Sequence, residues 1–267
     1  MPTNLMRGIA LAALLSIGAC QTMESAPTAT SPWIVSAIAD PARPQDTAFA
    51  ASCVGAENPC VGVKLDAFRK PAEMLAFGEV KPGMKIGELI PGAGYMTRLF
   101  SKAVGASGHV YLFNGPPRAA GQPQGFQPII DDTANYANVS FVQTDFTSIA
   151  APEKLDMVWT SQNYHDMHNP GRNLDINKAN QAVMSALKPG GIYIVLDHQS
   201  AKGVDFDDKL HRINMQKVKD EVIASGFTFV SESQALDNPA DDGTKLVFDP
   251  SIRHRTDQFM LKFKKPG

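Results

Sequence analysis

The stretch Glu88-Leu-Ile-Pro-Gly92-Ala-Gly94-Tyr-Met-Thr97 decides the fold. Before it, Met84 to Ile90 reads as a strand. After it, Tyr95 to Val104 carries Leu99 and Ala103 at helical spacing. Gly92 and Gly94 permit a tight strand-to-helix turn and let a ligand approach the backbone. The N-terminus of the following helix presents unpaired N–H groups suited to an anionic group such as a carboxylate.

The same alternation continues outward. Val110–Phe113, Val139–Val142, Leu155–Thr160 and Ile192–Leu196 read as strands. Pro128–Tyr136, Ile176–Leu187 and Leu210–Ser225 read as helices, the second stopped by Lys188-Pro-Gly-Gly191. Ile192–Leu196 is apolar on both faces, as a central strand is. Strands alternating with helices predict a parallel sheet with right-handed crossovers. Phe227–Val230 and Phe259–Phe263 are joined without a clear helix, which predicts an antiparallel ending. The connecting loop, Asp237 to Arg255, is long for a compact domain. In sheets of this kind ligands bind beyond the carboxyl ends of the strands, where strand order reverses.

Toward the N-terminus the chain changes character. Arg7 is followed by an apolar run from Gly8 to Ala19 that ends Ile17-Gly18-Ala19-Cys20. This has the length of a signal peptide and resembles a bacterial lipobox, which implies lipidation at Cys20. An ordinary cleaved signal and a short buried helix are the alternatives. Gln21 follows the cysteine, so the aspartate of the usual inner-membrane retention signal is absent. The expectation is a lipoprotein on the periplasmic side of the cell envelope, in the outer membrane. Gln21 to about Pro44 is rich in Thr, Ala, Ser and Pro and reads as a tether. Trp33–Ile38 interrupts it as a docking helix. Cys53 and Cys60 suggest a small disulfide-closed loop in an oxidising compartment. A zinc site there lacks further ligands nearby. The division expected is 1–20 signal, 21–70 tether and lead-in, and 71–267 the main domain.

With 25 Lys and Arg against 27 Asp and Glu, the chain carries a net charge of −2. That argues against a nucleic-acid partner, which calls for an excess of cations to neutralise phosphates. No apolar run reaches the roughly 18 residues of a membrane span.

The glycine turn resembles motif I of the class I S-adenosylmethionine-dependent methyltransferases. Lys70-Pro-Ala-Glu-Met-Leu-Ala-Phe77 and Val80-Lys-Pro-Gly-Met84 upstream strengthen the resemblance. So does Ala186-Leu-Lys-Pro-Gly-Gly191 before a strand, with Leu196-Asp-His198 after it. The ordered set is similar to a bacterial family of exported methyltransferases and covers the chain from Asp40 onward. The resemblance implies an α/β, Rossmann-like, seven-stranded, mostly parallel sheet with helices on both faces and an antiparallel last strand. It implies S-adenosylmethionine as cofactor and a small-molecule or envelope methyl acceptor as partner; the membrane is reached through Cys20, as the lipobox implies. The resemblance assigns Glu88 to hold the turn, Gly92 and Gly94 to the donor's methionine end, and Pro91, Tyr95, Thr97 and Ser161 to donor binding. Asn114 falls at the ribose position, and Asp145 and Phe146 at the adenine. The chain departs from the pattern at two places. Asn114 stands where a carboxylate is usual, and an amide accepts only at its oxygen. Ile90 stands where many members have the first glycine.

Thr160 to His168 follows the fourth strand, beside the expected methyl group. Methyl transfer needs a positioned acceptor and, where the acceptor is protonated, a base. His165 is the best candidate, since imidazole titrates near about 6.5. Asp197 and His198 are placed to orient it, and Asn163 and Tyr164 to hydrogen-bond an acceptor. Each of these residues also has a purely structural reading. His168 and His211 read as surface residues. His165 and His168 with a carboxylate have a spacing too common to assign a metal site, so none is assigned. No Gly-x-Ser-x-Gly elbow is present, which disfavours a serine hydrolase. Arg253, His254 and Arg255 form a small basic cluster that either receives an anion or pairs with Asp249 and Asp257. An enzyme and a non-catalytic binding protein on the same fold both remain open.

Overall fold

The computed structural model describes residues 25–43, 65–116 and 122–267. Cys20 and its apolar run lie outside the described residues, as do Cys53 and Cys60. The elements that matter here are α1 (Pro32–Ile38), α2 (Asp66–Arg69), α3 (Pro71–Phe77), β1 (Lys85–Leu89), α4 (Tyr95–Val104), β2 (His109–Asn114), α5 (Gln127–Asp131), β3 (Val139–Gln143) and β4 (Leu155–Ser161). They continue with α6 (Tyr164–Met167), α7 (Ile176–Ala186), β5 (Leu187–His198), β6 (Phe206–Asp207), β7 (Arg212–Ile213), α8 (Met215–Ala224), β8 (Thr228–Ser233) and β9 (Gln258–Lys264).

Seven strands form one sheet in the order β3-β2-β1-β4-β5-β9-β8. β1 to β5 pair in parallel, and β9 is antiparallel to both neighbours. Strand order reverses between β1 and β4, the place where a ligand crevice is expected. Helices cover both faces because the central strands are apolar on both. In β5, Ile194 and Leu196 face one core cluster with Trp159, Phe100 and Leu75. Tyr193 and Val195 face the other, with Val183, Val218 and Phe227. The period of two along the strand delivers alternate side chains to opposite layers. Among the described residues, no helix is long and apolar enough to cross a membrane.

Two expectations are corrected. The stretch 25–43 is not an open tether. The helix read at Trp33–Ile38 docks on the domain itself, with Ile34 and Ala37 fully buried in the first core cluster. Trp33 Nε1 donates to the Val80 carbonyl at 2.8 Å. The sequence marks Trp33–Ile38 as an interruption of the tether, but only packing shows which surface it covers. The long helix read from Leu210 begins at Met215 instead, capped by Asn214, whose Oδ1 accepts from the Gln216 and Lys217 N–H groups. Residues before it are drawn into the β6–β7 ribbon because the Arg212 side chain turns fully inward. Its guanidinium donates to the Gln199 and Lys245 carbonyls and to both oxygens of Asp241. That pairing also gives the 237–255 loop its shape, since Asp241 and Lys245 belong to it.

Because Ile34 is fully buried, Ile34→Ala should destabilise the chain by about 2–4 kcal/mol through lost burial and the cavity left behind. Urea unfolding measures this, and a change below about 0.5 kcal/mol would show α1 to be dispensable.

Candidate active site at the carboxyl ends of β1, β4 and β5

The glycine turn leaves β1 through three left-handed residues, Ile90 (φ 52), Gly92 (φ 60) and Gly94 (φ 77). Ile90 therefore holds a conformation that suits glycine, and a β-branched side chain is strained there. Its N–H donates to the Phe113 carbonyl and its carbonyl accepts from Asn163 Nδ2 at 3.0 Å, which hold it in place. A Cβ at Gly94 would collide with Ile129. At Gly92 a Cβ would meet nothing within 4 Å, so this backbone borders open space. The space is a cleft of about 160 Å³ lined by Glu88, Pro91, Gly92, Tyr95, Ser161 and Asn163, among others.

Glu88 is buried beneath the turn. Its Oε2 accepts from Thr97 Oγ1 at 2.6 Å. Burial pushes its carboxyl up to about 8, against the opposing pull of Thr97 and Arg98. Thr97 is fully buried, so it acts on the turn through Glu88 and not on a ligand. Tyr95 lines the cleft, while its hydroxyl donates to Asp66 Oδ1 at 2.7 Å. Asp66 in turn pairs with Arg43 at 2.6 Å, and Arg69 lies over the Tyr95 ring at 4.5 Å. The N-terminal segment is thereby clamped to the start of α4.

At Asn114 and Asp145, the expected ribose and adenine positions, the side chains are engaged within the chain. Asn114 Nδ2 donates to Gln124 Oε1 at 2.9 Å, and Gln124 Nε2 donates to the Gly115 carbonyl. Gly125 lies so close that a Cβ on it would sit 2.7 Å from the Gly92 carbonyl. Gln124 and Gly125 are thus site residues the sequence did not single out. A glutamine in a Gly/Pro loop carries no signal of its own. Asp145 is exposed, and its Oδ1 accepts from the Thr147 N–H and Oγ1, both at 2.9 Å. Phe146 beside it is buried.

The histidines are organised by one carboxylate. Asp197, fully buried at the end of β5, accepts from the His165 N–H and the His165 ring Nδ1, both at 2.7 Å, and from the His198 N–H. Burial opposes the charged form of His165, but Asp197 outweighs it and raises the imidazole above its ordinary value. Asp197 is held low despite its own burial, chiefly by His165. With Nδ1 committed to Asp197, His165 Nε2 faces His211 Nδ1 at 3.2 Å. His211 is thus a partner of the buried histidine, and the surface reading of it is corrected. Burial lowers His198 to about 3, with His165, Arg212 and Arg69 adding to it against Asp197. It is a neutral ring, with Nδ1 within 2.8 Å of Thr256 Oγ1.

Two other expectations change. Tyr164 does not face an acceptor. It is fully buried, its hydroxyl accepting from Asn180 Nδ2 at 2.9 Å and donating to Glu221 Oε2 at 3.2 Å. Helical phase decides this: consecutive residues are turned about 100° apart, so Tyr164 meets Glu221 and Asn180 while His165 meets Asp197. His168 pairs with Glu221 at 3.0 Å, on the Tyr164 side and away from His165. Asn163 Nδ2 donates to the Ile90 and Ser161 carbonyls, so it ties β4 to the glycine turn. The basic cluster borders a separate cavity of about 440 Å³, lined by Lys70, Lys245, His254, Arg255 and Thr256 among others. Arg255 donates to the Ser251 carbonyl, while Asp249 accepts from Ser251 and Asp257 from Asn238 N–H.

Sheet order, glycine turn and reversed last strand make this the fold of the class I S-adenosylmethionine-dependent methyltransferases. The chain is similar to the [4+2]-cyclase SpnF, with a TM-score of 0.56 and 14% identity over 91% of this chain and 98% of that one. A SAM-dependent methyltransferase from Aquifex aeolicus gives 0.53 and 15% over 72% and 87%. The glycopeptide N-methyltransferase MtfA in complex with S-adenosylmethionine gives 0.51 and 16% over 76% and 87%. Among curated proteins, the ubiquinone/menaquinone biosynthesis C-methyltransferase UbiE of Shewanella pealeana is 28% identical over 185 residues, 68% of this chain. UbiE of Shewanella oneidensis matches equally. The chain spans 64% of the length of these relatives. No known family profile matches it.

A raised folded-state pKa makes Glu88 a source of stability that is complete below its unfolded value and lost as pH rises through about 8. Relative to Glu88→Gln, the wild-type melting temperature should therefore fall between pH 5 and pH 8, by roughly 5 °C. Parallel melting curves of the two proteins would disprove the shift.

Proposed function

We propose that this chain is an S-adenosylmethionine-dependent methyltransferase acting on a small molecule or a cell-envelope component. The observation that carries the reading is the open cradle at Gly92, where a left-handed backbone borders a cleft instead of packed side chains. The residues fit the methionine end of the donor. Gly92 offers close backbone approach, and Pro91, Tyr95 and Ser161 form walls. The cleft of about 160 Å³ falls short of the roughly 300–1,000 Å³ of a complete small-molecule site. Asn114, at the expected ribose position, spends its Nδ2 on Gln124, and its Oδ1 is the atom that would accept from a ribose hydroxyl. Curated relatives named as C-methyltransferases support the same reading.

The donor, when bound, supplies an activated methyl group on a sulfonium. The chain's own contribution is placement. Glu88 and Thr97 fix the turn from below, Asn163 locks it to β4, and Asp197 orients His165 at the neighbouring strand end. A second reading, a non-catalytic binding or structural protein on this fold, is favoured by the amide at Asn114, where the resemblance expects a carboxylate. Fold alone does not determine function.

The reading includes export. The lipobox-like Ile17-Gly18-Ala19-Cys20 supports a lipoprotein anchored through Cys20 on the periplasmic side of the outer membrane, a compartment in which Cys53 and Cys60 would be bridged. Cells expressing the full chain should incorporate labelled palmitate, and Cys20→Ser should abolish it. An unlabelled wild-type chain would sink the anchoring.

Donor or its demethylated product at about 100 times its Kd should raise the melting temperature by about 5 °C or more, since the ligand binds only the folded state. Gly92→Val fills the cradle and should remove the shift, measured against its own ligand-free melt. Absence of any wild-type shift at millimolar ligand would favour the second reading.

A further inference from the structure

The geometry points to a divalent transition-metal site formed by His165 Nε2, His211 Nδ1 and Asp166 Oδ1. The three atoms stand 3.2 Å (His165 to His211), 3.5 Å (His165 to Asp166) and 3.7 Å (His211 to Asp166) apart. Ligand bonds of about 2.0–2.2 Å to a tetrahedral ion place neighbouring ligand atoms roughly 3.3–3.6 Å apart. The three separations therefore outline one face of such a tetrahedron, and its fourth corner is left for water or a substrate oxygen. Two imidazoles and one carboxylate are a donor set for Zn²⁺ and its neighbours, not for Mg²⁺ or Ca²⁺, which take oxygen ligands.

Two further observations are independent of these distances. The buried Asp197 carboxylate accepts the other ring nitrogen of His165. That contact is the usual outer partner of a metal-bound histidine, and it fixes the tautomer so that the Nε2 lone pair points outward. His211 is held at φ 56, left-handed backbone that is uncommon outside glycine. The turn is fixed by Asp207 Oδ1, which accepts from the Lys209 and Leu210 N–H groups, and by the buried Arg212. This turn carries the ring whose Nδ1 meets His165. The side chains of His211 and Asp166 are 35% and 26% exposed, so an ion can enter from solvent. Phe248, exposed and edge-on to the His211 ring, forms an apolar wall beside the entrance.

The site does not depend on donor binding. With Nε2 on a metal, His165 has no lone pair left to act as a base, and the open corner offers an oxygen-bearing acceptor a place to bind.

The test uses the full chain, stripped with a chelator and titrated with Co²⁺ alone at neutral pH. The expected result is one equivalent bound with the visible d–d absorption of a four- or five-coordinate ion, displaced by Zn²⁺. His211→Gln and Asp166→Asn should each weaken binding about tenfold or more. Asp197→Asn should weaken it by about 10–100-fold through the outer shell. His168→Gln should bind like wild type, because His168 is turned to Glu221. Circular dichroism in chelator confirms that each variant folds. The proposal is overturned if the wild type gives no saturable band, if His211→Gln binds like wild type, or if binding is lost with Cys53→Ser or Cys60→Ser instead. No methyl donor is present, so a failed titration leaves donor binding untouched. Likewise the donor melt, run in chelator, reports on the donor alone.

Discussion

The site depends on a single buried carboxylate. Asp197 ends β5 in the middle of the sheet with no exposure to water. A charge in that position is costly unless fully hydrogen-bonded. Its oxygens accept from the His165 ring, the His165 backbone and the His198 backbone. Those bonds compensate the burial and, in the same act, join the loop after β4 to the end of β5. From there the chain of constraint continues: Asn163 ties that loop to the glycine turn at Ile90, and Glu88 and Thr97 hold the turn to α4.

A second frame surrounds it. Arg43, Asp66, Tyr95 and Arg69 link the N-terminal helix region to the start of α4. Arg212, buried with Asp241, holds the 237–255 loop and sets the turn that carries His211. Buried arginine–carboxylate pairs contribute little net stability against apolar replacements, yet breaking one is strongly destabilising. Their role here is positional, because each fixes a loop that bears a side chain of the site.

Much of this was legible in the chain. Alternation of apolar runs, the Gly92 and Gly94 turn and the Pro-Gly-Gly stop before β5 are local features, and they sufficed for the sheet and its reversed end. The pairing of His165 with Asp197 is one option among several in the sequence. The facing of Tyr164 is not legible, because a four-residue helix gives no periodicity from which to read a buried side. The start of α8 is not legible either, because Arg212 reads as an ordinary helix residue while its guanidinium lies inside the core.

The sequence by itself determined the architecture, the turn that can cradle a ligand, and the departures Asn114 and Ile90. These follow from side-chain period and backbone preference, which act over a few residues. Tertiary structure alone decided that residues 32–38 belong to the core, that Gln124 occupies Asn114, and that His211 meets His165. Such contacts join positions 10 to 47 residues apart. They are set by how layers pack and where buried polar groups find partners, and no local pattern encodes that.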